Sequence, residues 1–134
     1  MAKAVTNLVN PAEDIASGND NIVIVDVFES VRGGRTLDVE NYKPDVIRAG
    51  HVIIKETATG EYKPMPVDDD GIDYDELPTG HAYAGILINT VLKKRPMAGI
   101  LVRGTVNYKA APYPMGTIMV AVKAALPLIN FRED

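Results

Sequence analysis

Cysteine is absent from this 134-residue chain, so neither disulfide staples nor a thiolate nucleophile are available. Long apolar runs are missing as well. None approaches bilayer length, and the N-terminus lacks the charged-then-apolar layout of a signal peptide. A soluble protein made in the cytoplasm is therefore expected. Serine occurs only at Ser17 and Ser30, neither in a G-x-S-x-G elbow. Histidine occurs only at His51 and His81, with no H-x-x-x-H or H-x-H spacing. Those two and Asp68 to Asp70 can be drawn as a site of two imidazoles and a carboxylate, but nothing enforces that geometry. Both histidines are expected at strand starts, solvated or hydrogen-bonded, and no metal or other cofactor is expected. Positive charge is not in excess either. A net charge of -4 opposes binding through nucleic-acid phosphates, although a local basic patch remains possible.

What is there is an ordinary globular complement of apolar residues, enough for one domain around one core. Met1 to Asp20 is small and polar, with Asn10-Pro11 and Ser17-Gly18-Asn19-Asp20 as breakers. It reads as an extended arm ordered by a partner, or as a frayed terminus with a short turn. The domain proper is placed at 21–134. Ile22-Val23-Ile24-Val25-Asp26-Val27-Phe28 is a β-branched strand. Gly33 and Gly34 supply a turn that lets Thr36-Leu37-Asp38-Val39 pair back on it as a hairpin. Val46 to Lys55 is a second strand, with a return over Glu61 to Val67 after a Thr57-to-Gly60 turn. His81 to Thr90 and Ala98 to Tyr108 are further strands.

One helix is expected, in the C-terminal half. Ile118, Met119, Val122, Ala125 and Leu126 share a helical face, and Pro127 ends the helix at Leu126. Burying Ile118, Val122 and Leu126 would stabilise the domain by roughly 1.5–3 kcal/mol each. The chain closes on Ile129-Asn130-Phe131 as a short strand.

The charged stretches offer little chemistry. Asp68 to Gly80 is an acidic, solvated loop, with a one-turn helix near Tyr74 to Leu77. As a calcium loop it fails, because Gly71 in the sixth position puts Pro66 first and Val67 second. Its crowded carboxylates do not tune one acid against another as hydrolysis requires. Arg32-Gly33-Gly34-Arg35 is neither a P-loop nor a dinucleotide fingerprint. Enzyme activity is not expected. Lys93, Lys94 and Arg95 form the densest basic cluster. They are a solvated turn, a docking contact for an acidic partner or, with Tyr83, Tyr108 and Tyr113, a surface for single strands.

The order Gly50-His51-Val52-Ile53, a hairpin with Tyr62, Ala84-Gly85-Ile86-Leu87, Val102-Arg103-Gly104-Thr105-Val106, a helix ending Ala124-Ala125-Leu126, and Ile129-Asn130-Phe131 resembles the lambda-type head decoration proteins of tailed bacteriophages. The match covers roughly Val46 to Phe131. The upstream segment Asn21 to Val39 and the proline at 127 depart from the family pattern. The resemblance implies a mainly β domain with one helix, a small β-barrel or β-tulip-like body. It also implies a homotrimer on the outer capsid surface of the virion, in contact with the major capsid protein and with no membrane, nucleic acid or small-molecule substrate. The arm would be ordered against the capsid, with Val5, Leu8 and Val9 as its apolar anchors. A head-fibre base of the same fold, and an oligonucleotide-binding barrel using the basic turn, are the competing expectations.

Overall fold

The computed structural model describes residues 19–134. Its elements are α1 (Asp20–Val23), β1 (Ile24–Ser30), β2 (Arg35–Thr36), β3 (Val46–Ile47), β4 (Val52–Glu56), β5 (Tyr62–Pro64), β6 (His81–Leu87), β7 (Val91–Leu92), β8 (Met97–Ala98), β9 (Ile100–Asn107), a 3-10 turn (Tyr108–Ala110), α2 (Met119–Ala125) and β10 (Ile129–Arg132). The principal sheet runs β1-β9-β6-β4-β5, with β10 also paired to β9. The structure is mainly β and its pairs are antiparallel except β9 with β10. The path β1 to β5 does not return on itself, so the sheet is open and the expected closed barrel is not formed.

Apolar side chains on both faces hold this sheet. Along β4, Val52 and Ile54 enter one cluster and Ile53 the other, as alternating strand geometry demands. Ile86 and Leu87 divide in the same way, as do Leu101 and Ile100. Strands covered on both sides read as unbroken apolar runs, which is why these segments stand out in the sequence. On the first face lies α2, burying Ile118, Val122 and Leu126 as its pattern predicts. Met119 is half-buried and Ala125 is exposed. The Leu126 amide still donates to the Val122 carbonyl, and the helix stops before Pro127. β10 then runs parallel to β9, with Ile129 opposite Gly104 and Phe131 opposite Val106. Parallel neighbours need a crossover, and α2 supplies it.

Three local expectations are corrected. The Thr36-to-Val39 segment does not pair back on β1. Instead Arg35 and Thr36 pair with Ala98 and Met97, and the Leu37 amide donates to the Pro96 carbonyl at 2.8 Å. That route buries Leu37 in the second cluster, where a hairpin on an exposed edge would leave it outside. Gly34 permits it, since a Cβ there would stand 2.9 Å from the Ala98 carbonyl oxygen. The strand expected over 46–55 is broken at Gly50 (φ +92°), so β3 pairs with β7 while β4 pairs with β5 and β6. Finally, the acidic loop has no helical turn at 74–77. Val67 and Tyr74 bridge antiparallel across it, and Tyr74 is buried.

Residues 1–18, with Val5, Leu8 and Val9, lie outside the described residues, but Asn19 and Asp20 belong to the body. The Ile22 and Val23 amides both donate to the Asn19 carbonyl at 3.0 Å. The Asp20 carboxylate accepts from the Thr90 amide (2.9 Å) and hydroxyl (2.7 Å), and the same hydroxyl accepts from the Ala49 amide at 3.1 Å. Asp20→Ala should lower stability by about 1–3 kcal/mol, because it strands the partly buried Thr90 donors. A urea midpoint unchanged from the parent protein would refute that role.

Candidate interaction surfaces

The basic cluster occupies the turn between β7 and β8. The Lys93 amide donates to the Asp45 carbonyl at 2.8 Å, and Leu92 and Arg95 bridge across the turn. Lys93 is half-buried, while Lys94 and Arg95 are exposed. Lys93 and Lys94 share a groove with Glu40 and Asp45, so acidic groups temper the field that a phosphate would meet. Tyr108 does not join them. Tyr108 follows the last residue of β9, whereas the basic turn precedes its first. Eight strand residues put them roughly 25 Å apart along the sheet. The Tyr108 hydroxyl also donates to the Glu133 carboxylate at 2.6 Å, which raises its pKa.

The histidines are separated in a similar way. His51 immediately precedes β4, and His81 lies opposite Glu56 at the far end of that strand, roughly 15 Å away by strand rise. His81 Nδ1 donates locally to the Thr79 carbonyl at 3.0 Å, and the residue is half-buried at its strand start. Among the described residues no group of three or more His, Cys, Asp or Glu is arranged to hold a metal. In the acidic loop Asp68 accepts from the Ile72 amide, and Asp69 pairs with Lys43 from outside the loop at 2.6 Å.

Of the two expectations for His51, solvated or hydrogen-bonded at a strand start, the structure shows the second. His51 is completely buried, and its ring sits edge-on to Tyr42, Tyr74 and Tyr113 with centroids 5.4, 5.1 and 5.5 Å away. Nε2 lies 2.8 Å from the Met65 carbonyl. A carbonyl only accepts, so the neutral ring carries its proton on Nε2. Nδ1 has no hydrogen-bond partner among the described residues. The Tyr74 hydroxyl accepts from the Val52 amide at 3.0 Å. Burial lowers the His51 pKa from 6.5 to about 4 and raises those of Tyr42 and Tyr74. The cluster is a polar knot that ties the acidic loop, the segment around Tyr42 and the approach to α2 onto β4. The sequence carried a usable sign of the loop's part in it: Asp70-Gly71 between Val67 and Tyr74 has the turn chemistry of a folded-back strand pair.

Among the described residues, apolar side chains line a groove and an exposed strand. The groove lies at the approach to α2, lined by Tyr108, Pro112, Tyr113, Pro114, Met115 and Met119. The strand is β1, where Val25, Val27 and Phe28 are exposed, with Ile22 beside them in α1. The Arg103 guanidinium lies over the Phe28 ring, 5.8 Å from its centroid. No helix among the described residues is long and apolar enough to cross a membrane. No protein-family model, curated protein or solved structure matches the chain.

Proposed function

We propose that this chain is a capsid decoration protein of a tailed bacteriophage. In this reading it binds the outer surface of the expanded head as a homotrimer, contacts the major capsid protein, and stabilises the lattice against the pressure of packaged DNA. It acts without catalysis, cofactor, small-molecule substrate or direct contact with nucleic acid, and its location is the virion. The observation that supports this most is the packing together of the segments whose order prompted the resemblance. β6 and β9 pair, α2 packs over β6, and β10 completes β9.

The mechanism is thermodynamic. A ligand that binds the assembled lattice and not its loosened state stabilises that lattice in proportion to RT ln(1 + [L]/Kd). A trimer that touches several capsid subunits multiplies modest contacts through effective concentration. Residues 1–18, with Val5, Leu8 and Val9, are the proposed capsid anchor, and Lys93, Lys94 and Arg95 a secondary docking contact. An extended segment can gain affinity by adding to the edge of a partner's sheet. The oligonucleotide-binding alternative is disfavoured by the separation of the basic turn from Tyr108.

Mixing the full chain with empty expanded capsids, followed by imaging, tests the proposal. Density at local three-fold positions is expected, and capsids left bare would refute it. A chain lacking residues 1–18 should remain folded and lose capsid binding. The cut must spare Asp20, since removing it confounds anchoring with stability. Full decoration by the shortened chain would show that the anchor lies elsewhere.

A further inference from the structure

We propose that the groove at the approach to α2 is the docking site for this chain's own residues 1–18, which lay Leu8, Val9 and Ile15 against Tyr108, Tyr113, Met115 and Met119 in the free protein. The inference stands whether or not the chain decorates capsids. If it does, Leu8 and Val9 cannot fill the groove and grip a capsid at once, so docking holds the anchor back until a shell draws it off.

The place where residues 1–18 join the body is the edge of this groove. Asn19, Asp20 and Val23 share a depression with Arg48, Ala110 and Pro112. Pro112 is also a wall of the groove, beside Ala111 and Tyr113. α1 packs on the 3-10 turn that carries Tyr108, and Val23 and Pro112 both crowd Gly50. Residue 18 therefore leaves the body at the rim. An extended chain spans at most about 3.6 Å per residue, which keeps Ile15 within about 14 Å of Asn19 and Leu8 within about 40 Å. Both can reach the groove without strain.

The groove has the size and lining for a few apolar side chains. Its volume is about 600 Å³, within the range of sites that bury a small ligand. Tyr108, Pro112, Tyr113 and Met119 are half-buried along it, and Met115 is buried. Rings offer broad apolar faces, and thioethers adapt to side chains of different shape. Residues 1–18 supply Val5, Leu8, Val9 and Ile15. Those are too few to build a core alone, so they gain by covering apolar surface elsewhere.

Charge and tethering select the occupant. Glu13 and Asp14 come immediately before Ile15, and Lys3 is the one cationic side chain among residues 1–18. Two exposed cations line the path from Asn19 inward: Arg48 in the depression at the mouth and Lys109 in the groove itself. Lys109 meets Glu133 only at 4.0 Å, with both side chains largely in solvent, so that pair holds it weakly. Acids that precede an apolar anchor match a groove with cations at its entrance. A segment joined at the rim also acts at an effective concentration in the millimolar range, which favours it over an untethered copy making the same contacts.

Since cysteine is absent, Ala12→Cys gives the full chain a single site for a nitroxide, and methyl-labelled methionines report what lies near it by NMR. Met115 and Met119 should lose most of their signal, while Met97 on β8, beyond the far end of β9, keeps its own. Combining Leu8→Ser, Val9→Ser and Ile15→Ser in the labelled chain should restore both signals, because the tether stays and only the apolar contacts go. Lys109→Glu, at an exposed position, should restore them too by facing Glu13 and Asp14 with like charge. Circular dichroism checks that each variant keeps the fold. Full-strength Met115 and Met119 signals in the nitroxide-bearing parent overturn the proposal. So does fading that persists in either variant, since the tether alone then accounts for it. A nitroxide-bearing chain mixed with a methyl-labelled chain lacking the nitroxide tests the other occupant. Fading in that mixture puts a second copy's segment in the groove and also overturns the assignment. A chain that shows the expected fading and ignores capsids sinks the decoration reading and leaves this docking standing.

Discussion

Acidification from pH 7 to pH 4 should cost the fold about 3 kcal/mol through His51. Its pKa falls from 6.5 in the open chain to about 4 in the folded one, and each pH unit between the two is worth about 1.4 kcal/mol. The sign follows from which state binds the proton. Above pH 6.5 neither state does, and stability is at its full value. Between 6.5 and about 4 the unfolded chain takes up a proton that the folded chain refuses, so stability falls as pH falls. Below about 4 both states are protonated and this contribution levels off.

The cause is burial without a compensating charge. Tyr42, Tyr74 and Tyr113 surround the ring, and phenols are neutral at these pH values, Tyr42 and Tyr74 all the more so because burial raises their pKa values. The Met65 carbonyl is a neutral acceptor that offsets only part of the penalty. Urea unfolding of the parent and His51→Gln at pH 7, 5.5 and 4 isolates the effect from ordinary carboxylate titration. The parent should lose about 3 kcal/mol more than the variant over that range. Parallel losses in the two proteins would show that His51 is not the titrating group.

Gly50→Val should remove about 3–5 kcal/mol, a large part of the 5–15 kcal/mol that holds a typical domain together. Two penalties combine at this position. Gly50 sits at φ +92°, a conformation that L side chains rarely adopt. A Cβ there would also collide with Val23 Cγ1 and stand 3.2 Å from Pro112 Cδ. The backbone cannot retreat easily, because the Gly50 amide donates to the Leu87 carbonyl at 2.8 Å. Gly60 separates the two terms. It has φ +77° and nothing within 4 Å of an added Cβ, so Gly60→Ala should cost only about 1 kcal/mol. Comparable denaturation midpoints for the two variants would refute the steric part of the argument. Since Val23 belongs to α1, the larger substitution should also loosen the point where residues 1–18 join the body.

Legibility from sequence tracked the range over which each feature is determined. The α2 boundary was readable because Pro127 acts on its immediate neighbour, and the buried face was readable because Ile118, Val122 and Leu126 repeat at helical spacing. β4, β6 and β9 were readable from their runs at 52–54, 86–87 and 100–101, where residues covered on both faces are apolar in succession. The glycines at 33 and 34 announced a turn but not its destination. The same residues suit a hairpin on β1 and the observed crossing to β8, and the burial of Leu37 among Leu87, Ala98 and Ile100 decides between them. Tyr74 was misplaced because its neighbours Asp73 and Asp75 are charged, although its own ring turns inward.

By itself, then, the sequence determined what depends on local sterics and periodicity: a mainly β chain, one helix in its C-terminal half, the turns at 33–34 and 57–60 and the lack of a thiol or serine nucleophile motif. Only the tertiary structure decided that the sheet stays open, that β10 lies parallel to β9, that His51 is sealed among tyrosines, and that β1 offers apolar side chains to solvent. Pairing and burial are properties of distant segments meeting, and each strand's own pattern is compatible with several neighbours. The choice among them belongs to whichever arrangement removes the most apolar surface from water while leaving the fewest buried polar groups without partners.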